Sequence, residues 1–113
     1  MEGLVRGDIV IIPVPYSDIF FEKKRSALVI AVSGKSDYIF CSISTKNTRD
    51  RFCLELNSED LVSGALIVKS YVHCNRIFTL YSGKVLYKVG RLTRLKHEQV
   101  IVALLKLIRG DLE

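Results

Sequence analysis

Short β-branched stretches separated by turn residues dominate the chain, and only its C-terminal end changes to a helical period. Residues 9–12 read Ile-Val-Ile-Ile, and Pro13 and Pro15 limit this run, as is typical of a first strand with an irregular end. Further apolar or alternating stretches follow at 27–32, 37–44, 52–56, 66–68, 71–74 and 77–80, with a weaker element at 83–89. About six or seven short strands are therefore predicted.

The last segment is predicted to be one amphipathic helix. Six apolar residues recur there at helical spacing, namely Leu95, Val100, Ile101, Leu104, Leu105 and Ile108. Thr93 can cap the start of this helix, and Gly110 can end it. At 57–60 the residues allow at most one helical turn. The predicted fold class is mainly β (α+β), a compact barrel of short strands with a C-terminal helix.

Length and hydropathy indicate one domain. With 113 residues and 49% hydrophobic content, the chain has enough apolar material for one continuous core, and residues 1–113 are predicted to form a single domain. No apolar run approaches the roughly 20 residues that a membrane helix needs. The N-terminus lacks the residue order of a secretory signal. We therefore expect no membrane association and a cytoplasmic location.

The polar and sulfur-containing residues give no sign of a bound metal or cofactor. Cys41, Cys53 and Cys74 are far apart and lack CxxC spacing, so we interpret them as small buried hydrophobes rather than ligands or disulfide partners. The histidines and acids show no HExxH, HxH or DxD spacing. No glycine-rich phosphate loop is present either. We therefore expect the protein to use no cofactor.

The charge balance favours an anionic partner. The chain carries 17 Lys+Arg against 12 Asp+Glu, a net charge of +5, which is weak evidence for nucleic acid by itself. The positions are more informative, because two basic groups flank apolar runs. They are Lys23, Lys24 and Arg25, then Lys46, Arg49 and Arg51.

A hairpin across residues 27–44 places a cation opposite a hydroxyl. If Gly34 and Lys35 form a two-residue turn, opposed residue numbers sum to 69 and Arg25 lies across from Ser44. A longer turn would bring Thr45 or Lys46 into that place, and a one-residue slip changes the face. A guanidinium fork matches phosphoryl oxygens, and a hydroxyl can hold another oxygen. The alternative is a solvated strand-end cation beside an ordinary edge hydroxyl.

His73 is the best candidate for proton transfer. On a strand it shares a face with Tyr71 and Asn75, while Val72 and Cys74 take the other face. Its unperturbed pKa of about 6.5 suits acid and base chemistry, although a lone strand histidine is commonly structural.

Three other titratable residues have weaker claims. His97, in the first turn of the predicted helix, is interpreted as a surface residue. Asp18 and Glu22 precede Arg25 in a loop and either supply a carboxylate base or are simply solvated.

Several segments, in order, resemble the MazF/PemK/Kid family of toxins. They read RGDIV at 6–10, PVPYSD at 13–18, KRSALVI at 24–30, SIST at 42–45, SYVHCNRIFTL at 70–80 and VGRL at 89–92. The resemblance covers about residues 5 to 108. It implies a small SH3-like barrel with appended helices, a homodimer, cleavage of single-stranded RNA at short sequences without a metal, and a small antitoxin that occupies the RNA groove.

The same resemblance implies roles for individual residues. Arg25 takes the place of the family's catalytic arginine and Ser44 that of its catalytic threonine. The family's proline after the arginine is Ser26 here, and the hydroxyl position is shared between Ser44 and Thr45. In the Kid branch, an Arg and an Asp act as acid and base where this chain has His73 and Asn75.

The resulting hypothesis is an endoribonuclease toxin in which the ribose 2′-hydroxyl attacks phosphorus, leaving a cyclic phosphate and a 5′-hydroxyl. Arg25 would stabilise the phosphorane, Ser44 or Thr45 would position the phosphate, and His73 would move a proton. The predicted substrate-binding residues are Asp18, Lys23, Lys24, Lys46, Asn75 and Arg76. The alternatives are a catalytically weak or inactive module that binds RNA or an antitoxin, and a gyrase poison like CcdB.

Overall fold

Seven strands and one helix make up the chain in the computed structural model, which describes residues 3–13, 23–66 and 68–111. The strands are β1 Asp8–Pro13, β2 Lys24–Ser33, β3 Asp37–Ser44, β4 Cys53–Leu56, β5 Leu61–Gly64, β6 Ser70–Tyr81 and β7 Tyr87–Leu92. The helix α1 spans Arg94–Arg109, and short 3₁₀ turns lie at Ser58–Asp60 and Ser82–Lys84. The strand number and the C-terminal helix confirm the prediction.

The strands form one antiparallel sheet in the order β4-β6-β3-β2-β1-β7-β5, which curves into a half-barrel. The three central strands are buried on both faces, which explains their continuous apolar runs. The helix-side core includes Ile9, Leu28, Cys41 and Val72, with Val100 and Leu104 of α1. The open-side core, on the other face, includes Val10, Ala27, Val29 and Phe40.

The helix α1 follows its sequence signals closely. The Thr93 hydroxyl accepts a hydrogen bond from the Lys96 backbone N–H at 3.1 Å, which satisfies one free donor of the first turn. Gly110 ends the helix with a φ of 78°, the left-handed conformation that glycine adopts without strain. No helix in the described ranges is long and apolar enough to cross a membrane.

The β2–β3 hairpin reaches the predicted register by a different route. Ser33 pairs with Asp37, so the turn is one residue longer than predicted and the numbers of opposed residues sum to 70. A bulge between Val29 and Ala31 then shifts the register by one residue. Beyond it the sum is 69, and Ser26 pairs with Ile43. The prediction of a two-residue turn was wrong, but the bulge restores the predicted register at the end of the hairpin away from the turn.

Other differences concern the second half of the chain. A strand was predicted at 66–68, of which residue 67 lies outside the described residues; residues 66 and 68 are not in a strand, and the nearest strand is β5 at Leu61–Gly64. The two strands predicted at 71–74 and 77–80 are one long strand, β6. The element at 83–89 is a 3₁₀ turn followed by β7. Cys41 and Cys74 are buried as expected, whereas Cys53 on the edge strand β4 is only half-buried.

The edge strand β5 depends on a glycine. Gly64 has a φ of 78°, and a side chain there would overlap the Val89 carbonyl oxygen of β7. We expect Gly64→Ala to lower the free energy of unfolding by about 1–2 kcal/mol, the low end for overpacking, because an edge strand can move away. Urea denaturation measures this change. Gly34→Ala is the matched control, since Gly34 also has positive φ, 70°, with nothing within 4 Å. Equal losses in the two variants would contradict the steric explanation.

Candidate active site

The far end of the β2–β3 hairpin brings a cation and a hydroxyl together. Ser26 and Ile43 form the last pair of this ladder, so Arg25 and Ser44 are the next residues along it. Directly opposed side chains in a sheet are about 5 Å apart at Cβ. Arg25 is exposed and Ser44 is half-buried. The two residues also line the same cavities, so they lie together at this end of the hairpin.

His73 lies beside this hydroxyl on the neighbouring strand β6. Its Nε2 is 2.6 Å from the Ser44 Oγ. The Ser44 hydroxyl also accepts a hydrogen bond from the Lys46 backbone N–H at 3.3 Å. A hydroxyl has one proton to donate and two lone pairs. When Ser44 donates to the unprotonated His73, one of its lone pairs remains for a ligand.

Burial keeps the His73 ring uncharged. The residue is 1% exposed, and this desolvation lowers the pKa of the imidazole below its ordinary value of 6.5. The cations Arg76 and Lys46 lower the pKa further, and Asp50 opposes them. His73 is therefore neutral at neutral pH and able to accept a proton.

An irregularity in β6 produces this arrangement. On β3, Cys41 and Ser42 are consecutive, yet their partners on β6 are Ile77 and His73. Residues 74–76 thus form an extra stretch without a partner on β3, a feature that re-aims side chains and is common beside active sites. The Cys74 backbone N–H instead donates to the Phe52 carbonyl at 2.8 Å. Because of this stretch, His73 faces Ser42 and lies within reach of Ser44.

Two cavities adjoin the Arg25–Ser44 pair. The larger cavity, about 390 Å³, includes Arg76 and Phe78 of β6 in its wall. The smaller cavity, about 200 Å³, includes Lys24, Thr45 and Ser70. Arg25 and Ser44 line both cavities. An extended ligand that carries several charged groups could therefore run from one cavity to the other across Arg25 and Ser44.

The remaining predicted site residues fall into three groups. Lys24, Thr45 and Arg76 line the cavities. Lys23, Lys46 and Asn75 are exposed and close in sequence to the cavity residues, but they are not among the described residues that line either cavity. Asp18 and Glu22 lie outside the described residues.

The surface interpretation of His97 was wrong. This residue is half-buried, and its Nε2 is buried without a hydrogen-bond partner in the described ranges. Desolvation, with Arg6 nearby, lowers the pKa of its imidazole. The cause is packing of the first turn of α1, which places the His97 ring near Gly7. His97 therefore belongs to the fold rather than to the cavities.

Among the cavity-lining residues that sequence reasoning did not name are Ser42, Phe78 and Ser70. Ser42 and Phe78 line the larger cavity, and Ser70 the smaller one. Phe78 could have been found, because it lies two residues after Arg76 and alternation places both on one face of a regular strand. Ser42 also shares its face with Ser44 by alternation. No local signal marks Ser70, whose hydroxyl donates to the Val68 carbonyl at 3.0 Å.

Comparison with known protein families shows which family the chain belongs to. The model of the PemK-like, MazF-like toxins of type II toxin-antitoxin systems matches residues 5–108. The chain belongs to this toxin family. As a member of the PemK-like toxins, it carries Arg25, Ser44 and His73 within the matched range. Comparison with curated protein sequences gives no significant match.

Solved structures share the fold of this PemK-like toxin. An endoribonuclease in complex with its cognate antitoxin, from a Mycobacterial species, has a TM-score of 0.76 at 15% identity, covering 96% of this chain and 97% of that one. The Mycobacterium tuberculosis toxin MazF-mt6 has a TM-score of 0.72 at 14% identity, with 90% and 96% covered. A MazE-MazF structure from Deinococcus radiodurans has a TM-score of 0.72 at 14% identity, with 92% and 94% covered. At such identities the likeness shows the fold.

Proposed function

We propose that this PemK-like toxin is an endoribonuclease that cleaves single-stranded RNA without a metal. The observation that carries the proposal is the 2.6 Å contact between Ser44 Oγ and His73 Nε2 beside the exposed guanidinium of Arg25. This arrangement offers a proton acceptor, a ligand-facing hydroxyl and a fixed positive charge. Attack of a ribose 2′-hydroxyl on the adjacent phosphorus needs these three elements and a positioned strand.

The buried position of His73 defines the path of the proton. At 1% exposure, the imidazole does not meet the substrate directly, so Ser44 lies between the two. The 2′-hydroxyl proton passes to the Ser44 Oγ while the Ser44 proton passes to the His73 Nε2. The 2′-oxygen bonds to phosphorus, the bond from phosphorus to the 5′-oxygen breaks, and the proton returns along the same path to that oxygen. The products are a 2′,3′-cyclic phosphate and a 5′-hydroxyl.

Arg25 and the neighbouring polar groups act on the phosphate. The phosphorane that forms during attack carries extra negative charge, which the Arg25 guanidinium stabilises through paired N–H donors. Thr45, which lines the smaller cavity with Arg25, positions a phosphate oxygen. Lys24 and Arg76 line the path of the strand on either side. Each phosphate contact steepens the salt dependence of RNA binding.

Family membership also supports proposals about the surroundings of the protein. We propose that the chain acts in the cytoplasm as a single domain, forms a homodimer and is held inactive by a cognate antitoxin. The antitoxin complex known for a structure of the same fold supports the last of these. Light scattering of the purified toxin tests the homodimer, and co-purification from cells that express the flanking genes tests the antitoxin.

Incubation of the purified protein with a long single-stranded RNA in EDTA tests the proposed reaction. The expected result is a set of discrete fragments that carry cyclic phosphates and 5′-hydroxyls. Intact RNA that nevertheless binds the protein would instead support a non-catalytic RNA-binding module. Toxicity in cells that persists without any RNA cleavage would support a protein-directed poison.

The Ser44–His73 pair predicts a characteristic pH dependence. His73 accepts a proton only when it is neutral, and its pKa lies below 6.5. The value of kcat/KM should therefore fall as the pH decreases through that lowered pKa and be constant above it. We expect His73→Gln and Ser44→Ala each to reduce kcat/KM by about 10²-fold, the lower end for general acid–base catalysis, and to abolish this acidic limb.

The double variant distinguishes a relay from two independent contributions. Residues that act as one unit are strongly non-additive, so Ser44→Ala combined with His73→Gln should cost no more than either change alone. His97→Gln is the matched histidine control and should retain the wild-type profile. Multiplicative losses in the double variant would contradict a proton path through Ser44.

A further inference from the structure

The larger cavity contains an apolar wall that the proposed cleavage chemistry does not use. Ile12, Phe78 and Leu80 supply this wall, while Arg25, Arg76 and Ser42 contribute polar groups. Its volume of about 390 Å³ is within the range of small-molecule sites. A site for phosphate alone would need only the polar part. A ligand with a flat or bulky apolar group would complement the apolar part.

Phe78 is held in place by aromatic stacking. Its ring lies 5.4 Å from that of Phe40, centroid to centroid, with 19° between the ring planes. Phe40 is fully buried in the open-side core, whereas Phe78 is half-buried and lines the cavity. A ring that is fixed before binding loses little conformational entropy when a ligand stacks on it. The sheet thus presents a preformed aromatic surface beside Ser44.

The charges around the cavity select an anionic ligand. Arg25 on β2 and Arg76 on β6 lie on the two strands that flank β3, and both line the cavity. Both side chains are exposed, and none of the described residues that line the cavity is acidic. A ligand that carries phosphates at its ends and an aromatic group between them fits this arrangement. A nucleotide within a single strand has these properties.

From these contacts we propose that the larger cavity is a nucleobase subsite, in which one unpaired base next to the cleaved phosphate stacks on Phe78 between Arg25 and Arg76. This inference rests on the proposed function, because the occupant is a base of the same RNA strand. Stacking on an aromatic ring tolerates every base, since each has a π face. Phe78 therefore contributes affinity and strand position, and the polar rim, including Ser42, discriminates between bases.

Binding measurements test the subsite without requiring cleavage. The probes are short fluorescent 2′-O-methyl RNA oligonucleotides of random sequence, which lack the attacking hydroxyl, and abasic sugar-phosphate oligomers of equal length. Wild-type protein should bind the RNA roughly five- to a hundredfold more tightly than the abasic oligomer, as expected for one stacked base. Phe78→Leu, which keeps apolar volume, should remove most of this preference and leave abasic binding unchanged. Tyr81→Leu, an exposed aromatic on the same strand, should keep it.

A fluorescence reporter gives a second readout that does not depend on loss of stability. The chain has no tryptophan, so Phe78→Trp introduces a single tryptophan, which can be excited selectively over the tyrosines. RNA should quench its emission, whereas the abasic oligomer should not, and Tyr81→Trp should respond to neither. Unchanged emission with bound RNA, or an undiminished base preference in folded Phe78→Leu, would overturn the subsite even where the wild-type protein cleaves RNA. A base preference that depends on Phe78 would support it even in a protein that does not cleave.

Discussion

We expect Arg25→Ala to lower kcat for the proposed RNA cleavage by about 10²–10³-fold, the usual loss when one donor to a developing oxyanion is removed, and to leave the melting temperature unchanged. The rate falls because the phosphorane loses its paired N–H donors. Stability is retained because Arg25 is exposed at the start of β2. No hydrogen bond or ion pair holds its side chain within the described ranges. Cleavage of an RNA oligonucleotide under single-turnover conditions, with the protein in excess, measures this effect on the chemical step.

Two further variants separate geometry from charge. Arg25→Lys keeps the positive charge but not the planar fork, so its rate should lie between those of the wild type and the alanine variant. Arg94→Ala removes an exposed arginine from the start of α1, away from the cavities, and should cleave at the wild-type rate. Wild-type cleavage by Arg25→Ala would remove this residue from the site.

We expect Asp8→Asn to destabilise the fold by about 3 kcal/mol, because removing one partner of a buried ion pair leaves charges without compensation. Asp8 is 1% exposed, and its Oδ1 lies 2.9 Å from Arg91 Nε and 3.0 Å from Lys88 Nζ. Its Oδ2 accepts the Val5 backbone N–H at 2.8 Å. The carboxylate thus joins β1, β7 and the N-terminal turn. Both cations are partly exposed, which places the cost at the lower end.

Urea denaturation at neutral pH measures this loss, with Glu55→Gln as the matched control. Glu55 forms an ion pair with Lys69 at 2.6 Å in which both side chains are exposed. Surface pairs of this kind contribute little, so the control should unfold at nearly the wild-type midpoint. Equal midpoints for Asp8→Asn and the wild type would show that the buried carboxylate does not stabilise the sheet.

The same carboxylate predicts the direction of the pH dependence of stability. Burial alone would raise the pKa of Asp8, but the hydrogen bond from Val5 and the contacts with Arg91 and Lys88 hold it below its ordinary value of 3.8. The unfolded chain therefore binds the proton more readily than the folded one. The contribution of Asp8 is complete above its unfolded pKa and is lost as the pH falls through the folded value. The stability difference from Asp8→Asn should accordingly shrink in acid.

The local elements followed from the sequence because their causes are local. The helical period after residue 94, the Thr93 cap and Gly110 fix α1 within one segment. Alternation along β6 correctly assigned Val72 and Cys74 to one face and His73 to the other, since Val72 and Cys74 lie in the helix-side core. The motifs that resemble the toxin family were readable for the same reason. Each is a contiguous stretch.

The Arg25–Ser44 pairing was predicted from the sequence, but for a reason that is only partly right. The turn is one residue longer than predicted, and the bulge between Val29 and Ala31 compensates. Side-chain period fixes which residues of β2 and β3 face the helix-side core and which face the open-side core, and a one-residue slip would exchange the two sets. Burial on both faces therefore enforced the register even though the turn geometry was wrong.

The contact between Ser44 and His73 was decided by the tertiary structure alone. The two residues are 29 positions apart in the chain, and their approach requires the extra stretch at 74–76 where β6 passes β3. No turn residue or period marks that stretch. Strand β6 pairs with β3 and with β4, and the stretch depends on both pairings rather than on its own sequence. The sequence by itself determined the number and type of the elements and the residue types offered for the site. Only the assembled sheet, which must satisfy every strand pairing at once, determined that the histidine is buried behind the serine.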